Sequence, residues 1–227
     1  MHILITGANH PLGQAIATEF QALHQITLTD YDAASALKST TLTYQQAELR
    51  TSDDVQPLLE NVDVIVHVSV INPPTFPTES TEQDLLDFAT RGTYILLDEA
   101  RKAGVDRLVF ISTLAHFEAY PDKYCLDESW QPEPAPNAAS LAPYLAEITC
   151  REFAREDGMR VICLRLDNLD HLDGHSTQDA LKAIEGALHY SFSDRGYRWG
   201  LYHISASDRF RTDAAEKALL SHVKDGA

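Results

Sequence analysis

The 227-residue chain predicts an α/β fold, a doubly wound parallel sheet with helices on both faces. Two observations carry this. Short segments apolar on both faces alternate with amphipathic helical segments along most of the chain, and a glycine-containing turn joins the first such strand to the first such helix. A chain of this length buries its own core, and we read residues 1–227 as a single domain.

Residues 2–5 form a short buried strand, and residues 11–23 a helix whose Ile16, Phe20 and Leu23 make one apolar stripe. Residues 26–29 give a second strand ending at Asp30, and residues 37–44 hold a weak third. A helix starts over 53–59, capped by Ser52 or Asp53, before the strand 62–68. The prolines of residues 72–77 remove backbone donors, so this stretch is a loop. The pattern is helical over 81–102, with Gly104 as its C-cap, and residues 107–112 are again a buried strand. Residues 128–143, rich in Pro, Ala, Asn and Ser, read as a surface loop leading into a helix at Tyr144. Gly158 separates that helix from the strand containing residues 161–164. After a polar loop over 167–177, Ser176 or Thr177 caps a helix running to Leu188. A strand over 201–204 and a helix over 212–222 follow.

Acidic residues outnumber basic ones 34 to 18, for a net charge of -16. This leaves no cationic footprint for nucleic acid or an anionic membrane. No run approaches the roughly 18 apolar residues of a membrane span, and no leader pattern precedes the first strand, so a cytoplasmic protein is expected. The three cysteines lack metal or disulfide spacing, and no metal site is expected.

The strongest local chemistry is Thr6-Gly7-Ala8-Asn9-His10-Pro11-Leu12-Gly13. Gly7 permits the tight turn and Gly13 the close approach of helix to sheet. Amides of the loop, with Asn9, His10, Pro11 and Leu12 between the glycines, are placed to hold a pyrophosphate at the helix N-terminus. His10 stands where a dinucleotide-binding loop wants glycine. Asp30 is spaced to accept a ribose 2′-hydroxyl and repel a 2′-phosphate, which favours NAD over NADP on a Rossmann-like sheet.

Over residues 2 to 206 the chain resembles the extended short-chain dehydrogenase/reductase family, in its NAD-dependent epimerase/dehydratase branch. The glycine loop is similar to that family's TGxxGxxG. The run Asp63 to Val70 resembles its D-x-V-x-H-x-A-A strand, Gly92-Thr93 with Leu97 and Ala100 its next helix, Ser112-Thr113 its serine/threonine strand, and Arg165 the start of its later RP motif. The resemblance implies NAD as cofactor, bound also through His67 and Ser69. It implies Thr113 and Tyr144 as the catalytic pair, a small hydroxy or sugar-like substrate, and a homodimer formed through helices near Leu96, Ile148 and Phe153. The family's lysine, four residues after its tyrosine, is here Ile148, and Glu147 replaces the small residue before it. His116 is a further candidate base. Against the family's longer members, a C-terminal substrate lobe is minimal or absent. Two functions remain open at this point, an atypical NAD-dependent oxidoreductase and a non-catalytic Rossmann module for dinucleotide sensing or protein contacts.

Overall fold

In the computed structural model, residues 1–32, 42–68, 81–156, 158–167, 174–193 and 196–220 are described. Seven strands form one sheet in the order β3-β2-β1-β4-β5-β6-β7, and every neighbouring pair is parallel. The strands are β1 His2–Thr6, β2 Gln25–Asp30, β3 Leu42–Gln46, β4 Val64–Val68, β5 Arg107–Thr113, β6 Arg160–Leu166 and β7 Trp199–Ile204. The helices are α1 Pro11–Phe20, α2 Ser52–Val55, α3 Glu82–Asp87, α4 Thr93–Ala103, α5 Ala138–Glu156, α6 Gly174–His189 and α7 Asp213–Ala215.

Because β1, β2, β4, β5 and β6 are buried or nearly so where they cross the middle of the sheet, their side chains feed two cores. On one face Ile3, Ile5, Val66 and Ile111 pack with Leu12 and Ile16 of α1 and Ile184 of α6. On the other, Leu4, Ile65, Leu108 and Phe110 pack with Leu96 and Leu97 of α4 and Phe153 of α5. Each such side chain contributes roughly 1.5–3 kcal/mol on burial. The predicted doubly wound sheet is therefore the observed one.

Several predicted boundaries change. Helix α1 ends at Phe20, so Leu23 leaves the apolar stripe and is 76% exposed. Thr51, not Ser52 or Asp53, caps α2 by accepting the Asp54 N–H at 3.3 Å. The helix expected over 81–102 is continuous from Glu82 to Ala103 but takes a π turn, Phe88–Gly92, between α3 and α4; its Thr81 start and left-handed Gly104 end are as expected. Helix α5 begins at Ala138 rather than Tyr144. Asn137 accepts the Ser140 N–H at 3.0 Å, and this cap starts the helix ahead of Pro143, which sits buried within it. Helix α6 begins at Gly174, which places Ser176 and Thr177 inside its first turn. Leu96 and Phe153, offered for a dimer face, belong to the core beneath α4 and α5, whereas Tyr94 of α4 is 53% exposed. The proline loop over 72–77 and residues 37–41 and 168–173 lie outside the described residues. No helix among the described residues is long and apolar enough to cross a membrane.

The strand order reverses between β1 and β4, and the carboxyl ends of these strands open the crevice where such sheets bind ligands. Gly7 crosses this point with φ +64°, and a Cβ there would stand 2.3 Å from the Val68 carbonyl oxygen. Gly7→Ala is therefore expected to destabilise by about 1–3 kcal/mol, measured by urea unfolding, because backbone rather than a movable side chain blocks it.

Candidate active site

At the β1–α1 turn, Gly13 brings the helix onto the loop so closely that a Cβ would lie 2.5 Å from the Gly7 carbonyl oxygen. Pro11 occupies the first helical position. His10 is the N-cap, and its Nδ1 accepts the Leu12 N–H at 3.1 Å. The Asn9 N–H donates to Asp30 Oδ2 at 2.8 Å, and the Tyr31 N–H donates to Asp30 Oδ1 at 2.7 Å. Burial raises the Asp30 carboxyl above its ordinary range, opposed by those two N–H groups and reinforced by the Asp32 charge. The Tyr44 hydroxyl donates to the Asp32 carbonyl and closes the same corner.

This corner allows a test of NAD against the residues present. Asn9 Oδ1 is buried with no hydrogen-bond partner among the described residues, and it sits on the residue that ties its own backbone to Asp30. Asp30 keeps lone pairs beyond the two it uses. Two acceptors in want of donors match the hydroxyls of a ribose, and a 2′-phosphate there would face the Asp30 and Asp32 charges. The ribose end of a dinucleotide fits.

His67, expected at the cofactor, stands at the carboxyl end of β4 opposite Thr6 of β1. It is 1% exposed between β4 and α4, with Nδ1 2.6 Å from the Thr6 hydroxyl and Nε2 3.1 Å from the Thr93 hydroxyl. Desolvation lowers its pKa to about 3, so it stays neutral. Both nitrogens are engaged inside the protein, and the ring ties the end of β1 to α4. Ser69 lies outside the described residues.

The proposed catalytic pair sits at the carboxyl end of β5 and the first turns of α5. Thr113 caps the 3₁₀ turn Leu114–Phe117, its Oγ1 accepting the Ala115 N–H at 3.1 Å. Tyr144 meets the His116 ring edge-on, with centroids 5.6 Å apart. It opens on a cavity of about 330 Å³ between α5, the loop 128–132 and edge strand β7, lined also by Trp130, Glu147, Ile148, Arg151 and Trp199. Ile148 occupies the position one helical turn beyond the phenol. Arg151 lies two turns along and pairs with Glu152 at 3.3 Å.

Beneath Tyr144 lies a buried polar network. Arg165 of β6 grips Glu147 in a fork, Nε to Oε2 at 3.0 Å and Nη2 to Oε1 at 2.5 Å, with side chains only 3% and 6% exposed. The Ser112 hydroxyl donates to Glu147 Oε2 at 2.8 Å and lies 3.2 Å from His116 Nε2. On the other side Arg165 Nη1 lies 3.5 Å from His203 Nε2, and its guanidinium stacks over Phe117. Desolvation alone would raise the Glu147 carboxyl, but the Arg165 hydrogen bonds and charge bring it below its ordinary value. His116, weighed as a base, has a pKa pushed down to about 4 by desolvation, against the Glu147 charge. It is 1% exposed, which makes it a packing and hydrogen-bonding residue.

Sequence reasoning noticed Ser112 only beside Thr113 on its strand, and gave no site role to His203 or the two tryptophans. The legible signal was Glu147, a carboxylate three residues from Tyr144 on a helix that must cover a sheet, which requires a buried cation.

A family model for the NAD dependent epimerase/dehydratase family matches residues 3–170. The chain belongs to this family. A search of curated proteins finds no match. Among solved structures, the chain is similar to a glucuronic acid dehydrogenase from Chromohalobacter salexigens, at TM-score 0.77 and 18% identity, covering 100% of this chain and 89% of that one. It is similar to the UDP-glucuronic acid 4-epimerase from Bacillus cereus in complex with NAD, at TM-score 0.76 and 15% identity, over 97% of this chain and 92% of that one. A mutated uronate dehydrogenase gives TM-score 0.75 at 18% identity, over 100% of this chain and 86% of that one. At such identities the likeness speaks of fold. This family member keeps the phenol and the hydroxyl of the expected catalytic pair and carries isoleucine at the lysine position.

Proposed function

We propose that this epimerase/dehydratase family member is an NAD-binding Rossmann module that does not perform the family's tyrosine-dependent hydride transfer. The observation that carries the reading is the charge arrangement around Tyr144. Ile148 puts a hydrocarbon where a cation would draw the proton from the phenol, and the nearby guanidinium of Arg165 is already neutralised by Glu147 in a two-point ion pair. Asp30 and the orphan Asn9 Oδ1 support NAD as the ligand, with Asp30 and Asp32 disfavouring a 2′-phosphate. NAD, when bound, offers a hydride acceptor. The chain contributes the Thr113 hydroxyl and the Tyr144 phenol, but no ammonium to keep that phenol ready to accept a proton.

The experiment is a calorimetric titration with NAD, NADH and NADPH, followed by assays of NAD reduction with glucuronic acid and UDP-glucuronic acid. Binding of NAD and NADH, rejection of NADPH and no turnover are expected. Turnover by the native chain overturns the reading, and absence of NAD binding removes its ligand.

A second reading, an oxidoreductase on a small hydroxy or sugar-like compound, is favoured by one observation, the opening of Tyr144 into a cavity with two tryptophans and Arg151. Ile148→Lys separates the two. If only the ammonium is missing, turnover with a sugar acid rises by roughly 100-fold over the native chain, the scale of one acid–base contribution. A variant that binds NAD yet stays inactive favours the module.

A further inference from the structure

A helix leaves the N–H groups of its first turn unpaired, and these are the donors that hold phosphate at a helix N-terminus. In α1 the first two positions offer no free donor. Pro11, the first helical residue, has no N–H. The next, Leu12, donates to His10 Nδ1 at 3.1 Å. Upstream, the Ala8 N–H donates to the Thr29 carbonyl at 3.2 Å, Asn9 to Asp30 at 2.8 Å, and His10 to the Gly7 carbonyl at 3.1 Å. Every amide donor from Ala8 to Leu12 therefore has an acceptor within the chain. The His10 ring is 6% exposed, held over the helix end and not out in water. At the neighbouring ribose corner the situation is reversed, because Asn9 Oδ1 is a buried acceptor without a donor among the described residues.

We propose that the His10 imidazole is an internal plug on the phosphate-binding end of α1. It stands in for a phosphate oxygen at the Leu12 N–H and must turn away before the pyrophosphate of a dinucleotide is seated. This rests on the reading of the chain as an NAD-binding module. The ribose corner is preformed, whereas the pyrophosphate corner exists only in the conformer with His10 withdrawn. A ligand that needs the open conformer binds more weakly by the fraction of molecules that hold it. His10 is thus a specificity-determining residue, setting NAD affinity without touching adenosine affinity.

The test compares the native chain with His10→Gly, since glycine is an acceptable N-cap and frees the Leu12 N–H. His10→Ala serves as a second variant, and thermal melts establish that both are folded. Calorimetry with NAD, adenosine and inorganic pyrophosphate is the readout. His10→Gly is expected to bind NAD about 10-fold more tightly, the gain from an open conformer populated at about a tenth. Adenosine affinity should stay unchanged, and inorganic pyrophosphate should bind the variants more tightly than the native chain. Equal or weaker NAD binding by both variants overturns the plug and makes His10 a phosphate contact or a bystander. If no protein binds NAD, the dinucleotide reading fails, and the plug is decided on inorganic pyrophosphate alone. Tighter binding to the variants then upholds it, and equal or absent binding overturns it.

Discussion

Glu147→Leu is expected to cost about 3–5 kcal/mol of folding stability, because it leaves the Arg165 guanidinium buried and uncompensated. The side chains of the pair are 3% and 6% exposed, so water cannot replace the lost carboxylate. Ser112 loses its shorter hydrogen bond in the same step, since its hydroxyl donates to Glu147 Oε2 at 2.8 Å. The double variant Glu147→Leu with Arg165→Met should recover most of the loss, as two apolar groups of similar volume need no partner. Urea unfolding of the four proteins of this cycle measures the coupling. If the single variant loses under 1 kcal/mol, the ion pair does not organise this end of the sheet.

Acid should unfold the protein earlier than its carboxylates alone would require. His67, His116 and His203 are all buried, with pKa values lowered from 6.5 to about 3, 4 and 4, in each case chiefly by desolvation. A group whose folded pKa lies below its unfolded one binds protons more strongly once unfolded. Its contribution to stability is complete above 6.5 and is lost as the pH falls towards the folded value. Each histidine adds up to about 1.4 kcal/mol of loss per pH unit in that window. Glu147, with its pKa also depressed, adds to the loss below its ordinary value of 4.5. His67→Gln, which cannot protonate, should flatten the slope of stability against pH between 6 and 4 by close to one proton, an effect that general charge repulsion leaves intact in both proteins. An unchanged slope would mean that His67 is not held neutral.

The parts of this molecule that were legible in its sequence are those set by neighbours along the chain. The apolar runs of β1, β4, β5 and β6, the turn through Gly7 and the left-handed Gly104 each follow from a few adjacent residues, and the parallel sheet follows from their order. The start of α5 at Ala138 was hidden because the Pro, Ala, Asn and Ser of residues 128–143 read as a loop, while Asn137 supplies a cap within it. The π turn at Phe88–Gly92 leaves no mark in the helical periodicity of that stretch. His10 was visible as an irregularity, but its imidazole as the acceptor for Leu12 is a matter of side-chain rotation. Glu147 and Arg165 were both noticed singly. Their pairing lies between a helix and a strand, and only packing brings them together.

The position of β1 also bears on how the chain reaches this structure. It is hydrogen-bonded to β2 and β4, so β1 has its second neighbour only when residue 68 has been made. The strands that follow add outward in sequence, β5 on β4, β6 on β5 and β7 on β6, each after an intervening helix. Among the described residues no two strands meet through a tight hairpin, so every pairing closes a long loop, the topology that slows folding and leaves edges exposed meanwhile. Synthesis from the N-terminus turns that difficulty into a queue: β1, β2 and β4 are made before β5, β6 and β7, so the edge each later strand pairs with has been made before it.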